Sequence, residues 1–106
     1  MTSIVLVDDH PMLRKGIRQL IEIQDGLEVV AEAGSGEEAL ALVEQHRPDM
    51  ILMDLNMKGM DGIQTVSTLR QRGVDACILM ITVSNNDNDV IAALRAGADG
   101  YLLKDV

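Results

Sequence analysis

The sequence predicts a doubly wound α/β fold, because short apolar runs alternate along the chain with segments of helical spacing. The runs at residues 4–7, 50–53 and 78–81 are continuous and bounded by polar residues, which is typical of parallel strands covered on both faces. The first ends in Asp8 and Asp9, and the second ends in Asp54. Since doubly wound sheets bind ligands at the carboxyl ends of their strands, these residues also predict a site.

Two further strands and four helices complete the predicted domain. Residues 27–33 include Glu28 and Glu32 among apolar residues, which favours an edge strand, and residues 101–103 form the fifth strand. Apolar stripes at helical spacing lie within residues 13–21, 39–43, 63–69 and 90–94. Pro11 suits the first turn of the first helix, Ser35 begins a capping-box pattern, and Gly97 is placed to end the fourth helix. We therefore expect the order βαβαβαβαβ with right-handed crossovers.

The stripe of the first predicted helix consists of Leu13, Ile17, Leu20 and Ile21. At this spacing the four side chains make one apolar stripe along the helix.

Length and composition narrow the class of protein. The chain has 106 residues, of which 47% are hydrophobic, and this suffices for one domain. Its formal net charge of -8 argues against binding of nucleic acid or an anionic membrane by this segment. Cys77 is the single cysteine and cannot form an internal disulfide. With no targeting pattern or long apolar stretch, we expect a cytoplasmic domain without a membrane partner.

The predicted site brings three carboxylates together, from Asp8, Asp9 and Asp54. At a separation of about 4 to 5 Å and an effective dielectric constant of about 20, each like-charged pair costs about 3 to 4 kcal/mol. The cluster therefore calls for a cation, and we expect a divalent one.

The site residues resemble those of the receiver domain of two-component response regulators. The resemblance rests on Asp8-Asp9, Asp54, Thr82 and Lys104, which match in order and spacing, and it covers essentially the whole chain. Residues 7–14, 54–60 and 96–105 are similar to the NarL subfamily, and within it to nitrate/nitrite response regulators. The resemblance implies a flavodoxin-like strand order, 2-1-3-4-5, and a domain that accepts a phosphoryl group from a sensor histidine kinase.

The resemblance also implies the role of each acidic residue. Asp54 is the phosphoacceptor and, together with Asp9, binds Mg²⁺ directly. Asp8 acts mostly through a bound water, and Asn56 contributes its backbone carbonyl. These oxygen ligands are the kind that Mg²⁺ prefers. The domain is expected to hydrolyse its own phosphoryl group slowly and to turn over no external substrate.

Lys104 and Thr82 are expected to contact the phosphoryl oxygens as charged and hydroxyl donors. Tyr101 matches the switch aromatic of the family, which turns inward when the phosphoryl group draws the Thr82 hydroxyl toward it. The alternative interpretation is that Tyr101 is an ordinary residue at the edge of the sheet.

Arg14, Lys15 and Arg18 form a basic cluster on the first helix of an acidic protein. They are expected to face the kinase, with a solvated helix face as the alternative. His10 is expected to belong to the entry of this helix and is not needed as a metal ligand.

Only Asp105 and Val106 follow the position of Lys104 at the end of the fifth strand, so we expect a piece of a longer protein. That protein is expected to add a fifth helix and a helix-turn-helix domain, through which alone it binds DNA. A homodimer through the fourth helix and fifth strand is the other way to cover the sheet. A stand-alone receiver, acting as an adaptor or phosphorelay intermediate, remains an alternative function. A Mg²⁺-dependent phosphohydrolase is disfavoured, because the second aspartate of that motif is missing.

Overall fold

The computed structural model describes residues 1–82 and 87–103, and shows within them five parallel strands and four helices. The strand order is β2-β1-β3-β4-β5, which confirms the predicted order. The elements are β1 (Thr2–Val7), α1 (Pro11–Ile23), β2 (Leu27–Ala33), α2 (Gly36–His46), β3 (Met50–Asp54), α3 (Gly62–Gln71), β4 (Cys77–Thr82), α4 (Asp87–Ala96) and β5 (Gly100–Leu103). Predicted Lys104 lies outside the described residues.

The register of the central strands aligns their carboxyl ends. Val7 of β1 pairs with Met53 of β3, and Asp54 of β3 pairs with Ile81 of β4. The residues that follow these pairs, Asp8 and Thr82, therefore lie at the same edge of the sheet as Asp54. This edge is where a parallel sheet places its ligands.

The two faces of the sheet are covered unequally. One face carries the larger core cluster, to which α2, α3 and α4 contribute Leu40, Leu69 and Ala93 among others. The other face carries a smaller cluster, and α1 is the only described helix that contributes to it, through Ile17 and Ile21. The sheet is therefore well buried on one side and thinly covered on the other.

Only two of the four residues in the predicted apolar stripe of α1 pack on the sheet. Ile17 and Ile21 pack on the smaller cluster, but Leu13 is 38% exposed and Leu20 is 67% exposed. Within the described residues α1 is the one helix that contributes to this face, and part of its stripe stays exposed to solvent. Leu102, the register partner of Ile81, is 52% exposed, as expected for an uncovered face.

The predicted capping box at the start of α2 forms only in part, and a second box, at the start of α3, was not predicted from the sequence. The hydroxyl of Ser35 accepts a hydrogen bond from the Glu38 N–H at 3.1 Å, as predicted. The Glu38 carboxylate, however, accepts from the N–H of Gly34 and not from Ser35, so only half of the capping box forms. A complete box begins α3, where Asp61 and Gln64 each bond the backbone N–H of the other.

Arg70 of α3 ties together the loop that precedes β4 and the loop that precedes β5. Its guanidinium donates to the carbonyls of Val74 and Ala76 at 2.7 and 2.9 Å, and to that of Gly97 at 2.9 Å. It also pairs with the Asp99 carboxylate at 2.9 Å. Gly97 ends α4 with a φ of 123°, which confirms its predicted place after the fourth helix. The start of β5 is thus fixed to α3.

Candidate functional site

Three carboxylates meet at the carboxyl edge of the sheet. Asp8 is fully buried, Asp54 is 2% exposed, and the side chain of Asp9 is 19% exposed. One ligand atom from each of these residues and one from His10 all lie within 4.8 Å of one another. The predicted convergence of Asp8, Asp9 and Asp54 is confirmed.

Two of the carboxylates also hold the loop that follows β3. Oδ2 of Asp9 accepts a hydrogen bond from the backbone N–H of Lys58 at 3.3 Å. Oδ1 of Asp54 accepts from the backbone N–H of Asn56, also at 3.3 Å. Asn56 is exposed and lines a shallow cavity with Asp9 and His10. The loop therefore lies directly beside the acidic cluster.

The donor set fits a hard divalent cation. Oδ1 of Asp9 is buried and accepts no backbone hydrogen bond within the described part of the chain, and Nδ1 of His10 lies 3.0 Å from it. A buried carboxylate oxygen with too few hydrogen-bond donors destabilises the fold unless a positive charge lies beside it. Carboxylate oxygens in a small cluster are the ligands that Mg²⁺ prefers. Asp8, Asp9 and Asp54 therefore fit this ion.

His10 joins the cluster, although its sequence position suggested only the entry of α1. Its Nδ1 lies 3.1 Å from Oδ1 of Asp8, 3.0 Å from Oδ1 of Asp9 and 3.9 Å from Oδ2 of Asp54. The residue occupies the N-cap position of α1, but its side chain makes no capping hydrogen bond. Its place directly after two adjacent acids was the signal available in the sequence.

The predicted phosphoryl-contacting and switch residues lie on neighbouring strands. Thr82 is 1% exposed and follows Ile81, the register partner of Asp54. Tyr101 of β5 pairs in register with Met80 and is 46% exposed. The structure thus brings Thr82 to the edge that holds Asp54 and leaves the Tyr101 ring in contact with solvent.

The basic cluster of α1 divides into paired and exposed members. Arg14 donates to Glu32 at 3.0 Å and to the carbonyl of Asp8 at 2.8 Å, and Arg18 also pairs with Glu32. The hydrogen bond between Arg18 and Glu32 lowers the pKa of Glu32 and raises that of Arg18. Lys15 is exposed. Two of the three cations therefore join α1 to β2.

Comparisons with known proteins give the same family as the sequence motifs. Residues 4–106 match the response regulator receiver domain family. The chain is 53% identical over 103 residues to the nitrate/nitrite response regulator protein homolog of Haemophilus influenzae, covering 97% of this chain and 50% of that protein. It is 55% identical over 103 residues to the nitrate/nitrite response regulator protein NarP of Escherichia coli, covering 97% of this chain and 48% of that protein.

Solved structures show the same likeness. The crystal structure of a LuxR-family two-component response regulator from Aurantimonas sp. SI85-9A1 has a TM-score of 0.95 and 41% identity, covering 99% of this chain and 75% of that one. The chain therefore belongs to the response regulator receiver domain family. Within that family it is of the NarL/LuxR type, as the sequence motifs predicted.

Membership sets the general properties of the domain. Receiver domains are regulators and not substrate-turnover enzymes; they bind Mg²⁺ in an acidic pocket and interact with histidine kinases. None of the described helices has the length and apolar character needed to span a membrane. The chain spans about half the length of the curated relatives it matches.

Proposed function

We propose that this domain accepts a phosphoryl group on Asp54 and thereby switches the output of a longer transcription regulator. The observation that carries the proposal is the convergence of Asp8 and Asp9 on Asp54 at one edge of the sheet. Asp54 alone combines the end of a central strand with two neighbouring acids able to hold a cation.

The proposed reaction is an in-line displacement at phosphorus. A carboxylate oxygen of Asp54 forms the new P–O bond while the bond from phosphorus to the donor breaks and the donor leaves with its electron pair. Mg²⁺, when bound, neutralises the negative charge on the phosphoryl oxygens. Asp9 and Asp54 would bind the ion directly, Asp8 through water, and Asn56 through its carbonyl.

Thr82 and Lys104 are proposed to hold the phosphoryl oxygens, since a hydroxyl and an ammonium group are suitable donors. The burial of Thr82 beside the partner of Asp54 supports this for Thr82. Tyr101 is proposed to leave solvent and turn inward once Thr82 engages the phosphoryl group. Such a change would make α4 and β5 a two-state element. Slow hydrolysis of the aspartyl phosphate would end the signal.

The proposed partners follow from exposed surfaces and from the relatives. Lys15 is exposed on α1 and is proposed to face a sensor kinase, together with Arg14 and Arg18, whose charges are shared with Glu32. Exposed apolar side chains at Ile91 and Leu94, which are 46% and 43% exposed, support a homodimer through α4 and β5.

The whole regulator is proposed to be about twice the length of this chain, as its relatives are. We infer that the added part supplies a fifth helix over the exposed Leu20 and Leu102, and a helix-turn-helix domain that binds DNA. The relatives described as nitrate/nitrite response regulators make these anions the first signals to test.

The test is covalent labelling of the chain with acetyl phosphate in the presence of Mg²⁺, followed by intact mass and peptide mapping. We expect one phosphoryl group, located on Asp54, and none in Asp54→Asn. Asp75→Asn, a change at an exposed acid away from the site, is the matched control and should label fully. Full labelling of Asp54→Asn, or labelling that persists after chelation of the metal, would overturn the proposal.

A further inference from the structure

We propose that His10 is a further protein ligand in the metal site, and that it lets the site accept nitrogen-preferring divalent metals such as Co²⁺, Ni²⁺ and Zn²⁺ besides Mg²⁺. The inference rests on the proposed function, since its carboxylate ligands are those of the phosphoacceptor site. It concerns which metals this chain binds and the side chain that selects them.

The spacing of the donor atoms is that of a metal site. In an octahedral site with bonds of about 2.1 Å, adjacent ligand atoms lie about 3.0 Å apart and opposite ones about 4.2 Å apart. Nδ1 of His10 lies 3.1 and 3.0 Å from oxygens of Asp8 and Asp9, and 3.9 Å from an oxygen of Asp54. The separation from Asp9 matches that of adjacent ligands, and the separation from Asp54 is close to that of opposite ligands. The contact with Asp8, which is proposed to act through water, is a hydrogen bond of the imidazole.

The position of His10 is fixed by the backbone and not by capping of α1. Its backbone N–H donates to Oδ1 of Asp8 at 2.8 Å, which holds residue 10 against the cluster. The imidazole makes no hydrogen bond to the end of the helix. Because the side chain is 66% exposed, it can turn toward a bound cation without displacing core residues. A bound metal would replace the hydrogen bond between Nδ1 and Oδ1 of Asp8, and no core residue would have to move.

The donor chemistry decides the metal preference. A site made only of carboxylates, carbonyls and water suits Mg²⁺, which prefers oxygen ligands. Imidazole suits Zn²⁺, Ni²⁺ and related ions, whose affinity for mixed nitrogen and oxygen sites exceeds that of the early divalent metals. Nδ1 of His10 would add such a donor without adding negative charge. The metal beside Asp54 would then depend on which ions are available.

The experiment measures metal binding directly, using the metals alone as probes. Calorimetric titrations with Co²⁺, Zn²⁺ and Mg²⁺ compare the unmodified chain with His10→Ala and with His46→Ala, which removes an exposed histidine at the end of α2. We expect His10→Ala to weaken Co²⁺ and Zn²⁺ binding about tenfold or more, which is a typical effect of removing a side chain from a metal site. Mg²⁺ binding should weaken less than about threefold. His46→Ala should change neither.

A spectroscopic measurement identifies the ligand atom. Pulsed electron paramagnetic resonance of bound Cu²⁺, which also favours imidazole ligands, should show nitrogen modulation from imidazole in the unmodified chain and in His46→Ala, and none in His10→Ala. His10→Asn offers a side chain without an imidazole nitrogen and should also lose the modulation. Circular dichroism checks that the His10 variants fold.

The outcomes separate this inference from the proposed function. Cu²⁺ that binds in an Asp9-dependent way without nitrogen modulation, or unchanged Co²⁺ affinity in His10→Ala, would show that His10 is not a ligand while the carboxylate site stands. Binding of Co²⁺ and Mg²⁺ that survives Asp9→Ala unchanged would place both metals elsewhere, and both proposals would then be wrong.

Discussion

Gly62, the first residue of α3, packs so closely on β3 that a Cβ atom at position 62 would lie 2.3 Å from the carbonyl oxygen of Asp54. The N–H of Gly62 donates to the carbonyl of Leu55 at 3.1 Å. The capping box of Asp61 and Gln64 fixes the same turn. The start of α3 therefore anchors the end of the strand that carries the proposed phosphoacceptor.

Gly62→Ala is expected to lower the free energy of unfolding by about 1 to 3 kcal/mol, because an added methyl group meets backbone atoms that cannot turn aside. It should also reduce labelling of Asp54 by acetyl phosphate. Gly16→Ala is the control, since nothing lies within 4 Å of its added Cβ inside α1. That change should stabilise the domain by about 0.5 to 1 kcal/mol in urea titrations. Equal stability of Gly62→Ala and the unmodified chain would show that the packing of Gly62 on β3 leaves room for a side chain.

Arg70→Ala is expected to lower the free energy of unfolding by about 1 to 3 kcal/mol, because three backbone carbonyls lose the guanidinium donor and the Asp99 carboxylate keeps only its hydrogen bond from the Ile78 N–H. Hydrogen exchange should quicken first in β5, whose start Arg70 fixes through Gly97 and Asp99. Arg72→Ala, at an exposed position two residues further on, should change stability by less than about 0.5 kcal/mol. Similar effects from the two variants would mean that the Arg70 contacts contribute little.

The ion pairs of Glu32 predict a dependence of stability on acid pH. The hydrogen bond from Arg18, and next that from Arg14, hold the pKa of Glu32 below its ordinary value of 4.5 in the folded domain. A lowered carboxyl pKa stabilises the fold above that ordinary value, and the stabilisation is lost as pH falls through the folded pKa. Glu32→Gln should therefore cost about 1 kcal/mol at neutral pH, and this cost should shrink as pH falls below 4.5.

Glu28→Gln is the matched control for this measurement, since Glu28 is an exposed acid on the same strand. Thermal unfolding followed from neutral to acid pH should show a nearly constant offset for Glu28→Gln. An offset of the same size and shape in both variants would argue against the pairing with Arg18.

Strand polarity explains what the sequence predicts well. Asp8, Asp54 and Thr82 each follow or end an apolar run, and the ends of parallel strands meet at one edge whatever the details of packing. The contacts that escaped prediction depend on side-chain direction. The turn of the His10 ring toward the acids, and the pairing of Arg18 with Glu32 across two elements, are set by tertiary geometry that no spacing pattern encodes.

Different substitutions are expected to impair Mg²⁺ binding and phosphoryl binding. Asp9→Ala should abolish Mg²⁺ binding, because it removes a direct oxygen ligand. Thr82→Ala and Lys104→Ala should keep Mg²⁺ affinity within about threefold and instead weaken labelling of Asp54, since their side chains are proposed to hold the phosphoryl group. Calorimetry and acetyl phosphate labelling measure the two properties. Loss of Mg²⁺ in Lys104→Ala as complete as in Asp9→Ala would refute this division of roles.

Tyr101 gives an optical test of the proposed switch, because the chain has one tyrosine and no tryptophan. Its ring is 46% exposed, so acrylamide should quench its fluorescence readily in the unmodified domain. Addition of beryllofluoride with Mg²⁺, which mimics the aspartyl phosphate, should reduce that quenching as the ring turns inward. The reduction should be absent in Asp54→Asn and smaller in Thr82→Ala, because the hydroxyl of Thr82 must move toward the phosphoryl group to make room. Unchanged quenching in a domain whose Asp54 is fully occupied would show that Tyr101 remains an ordinary edge residue.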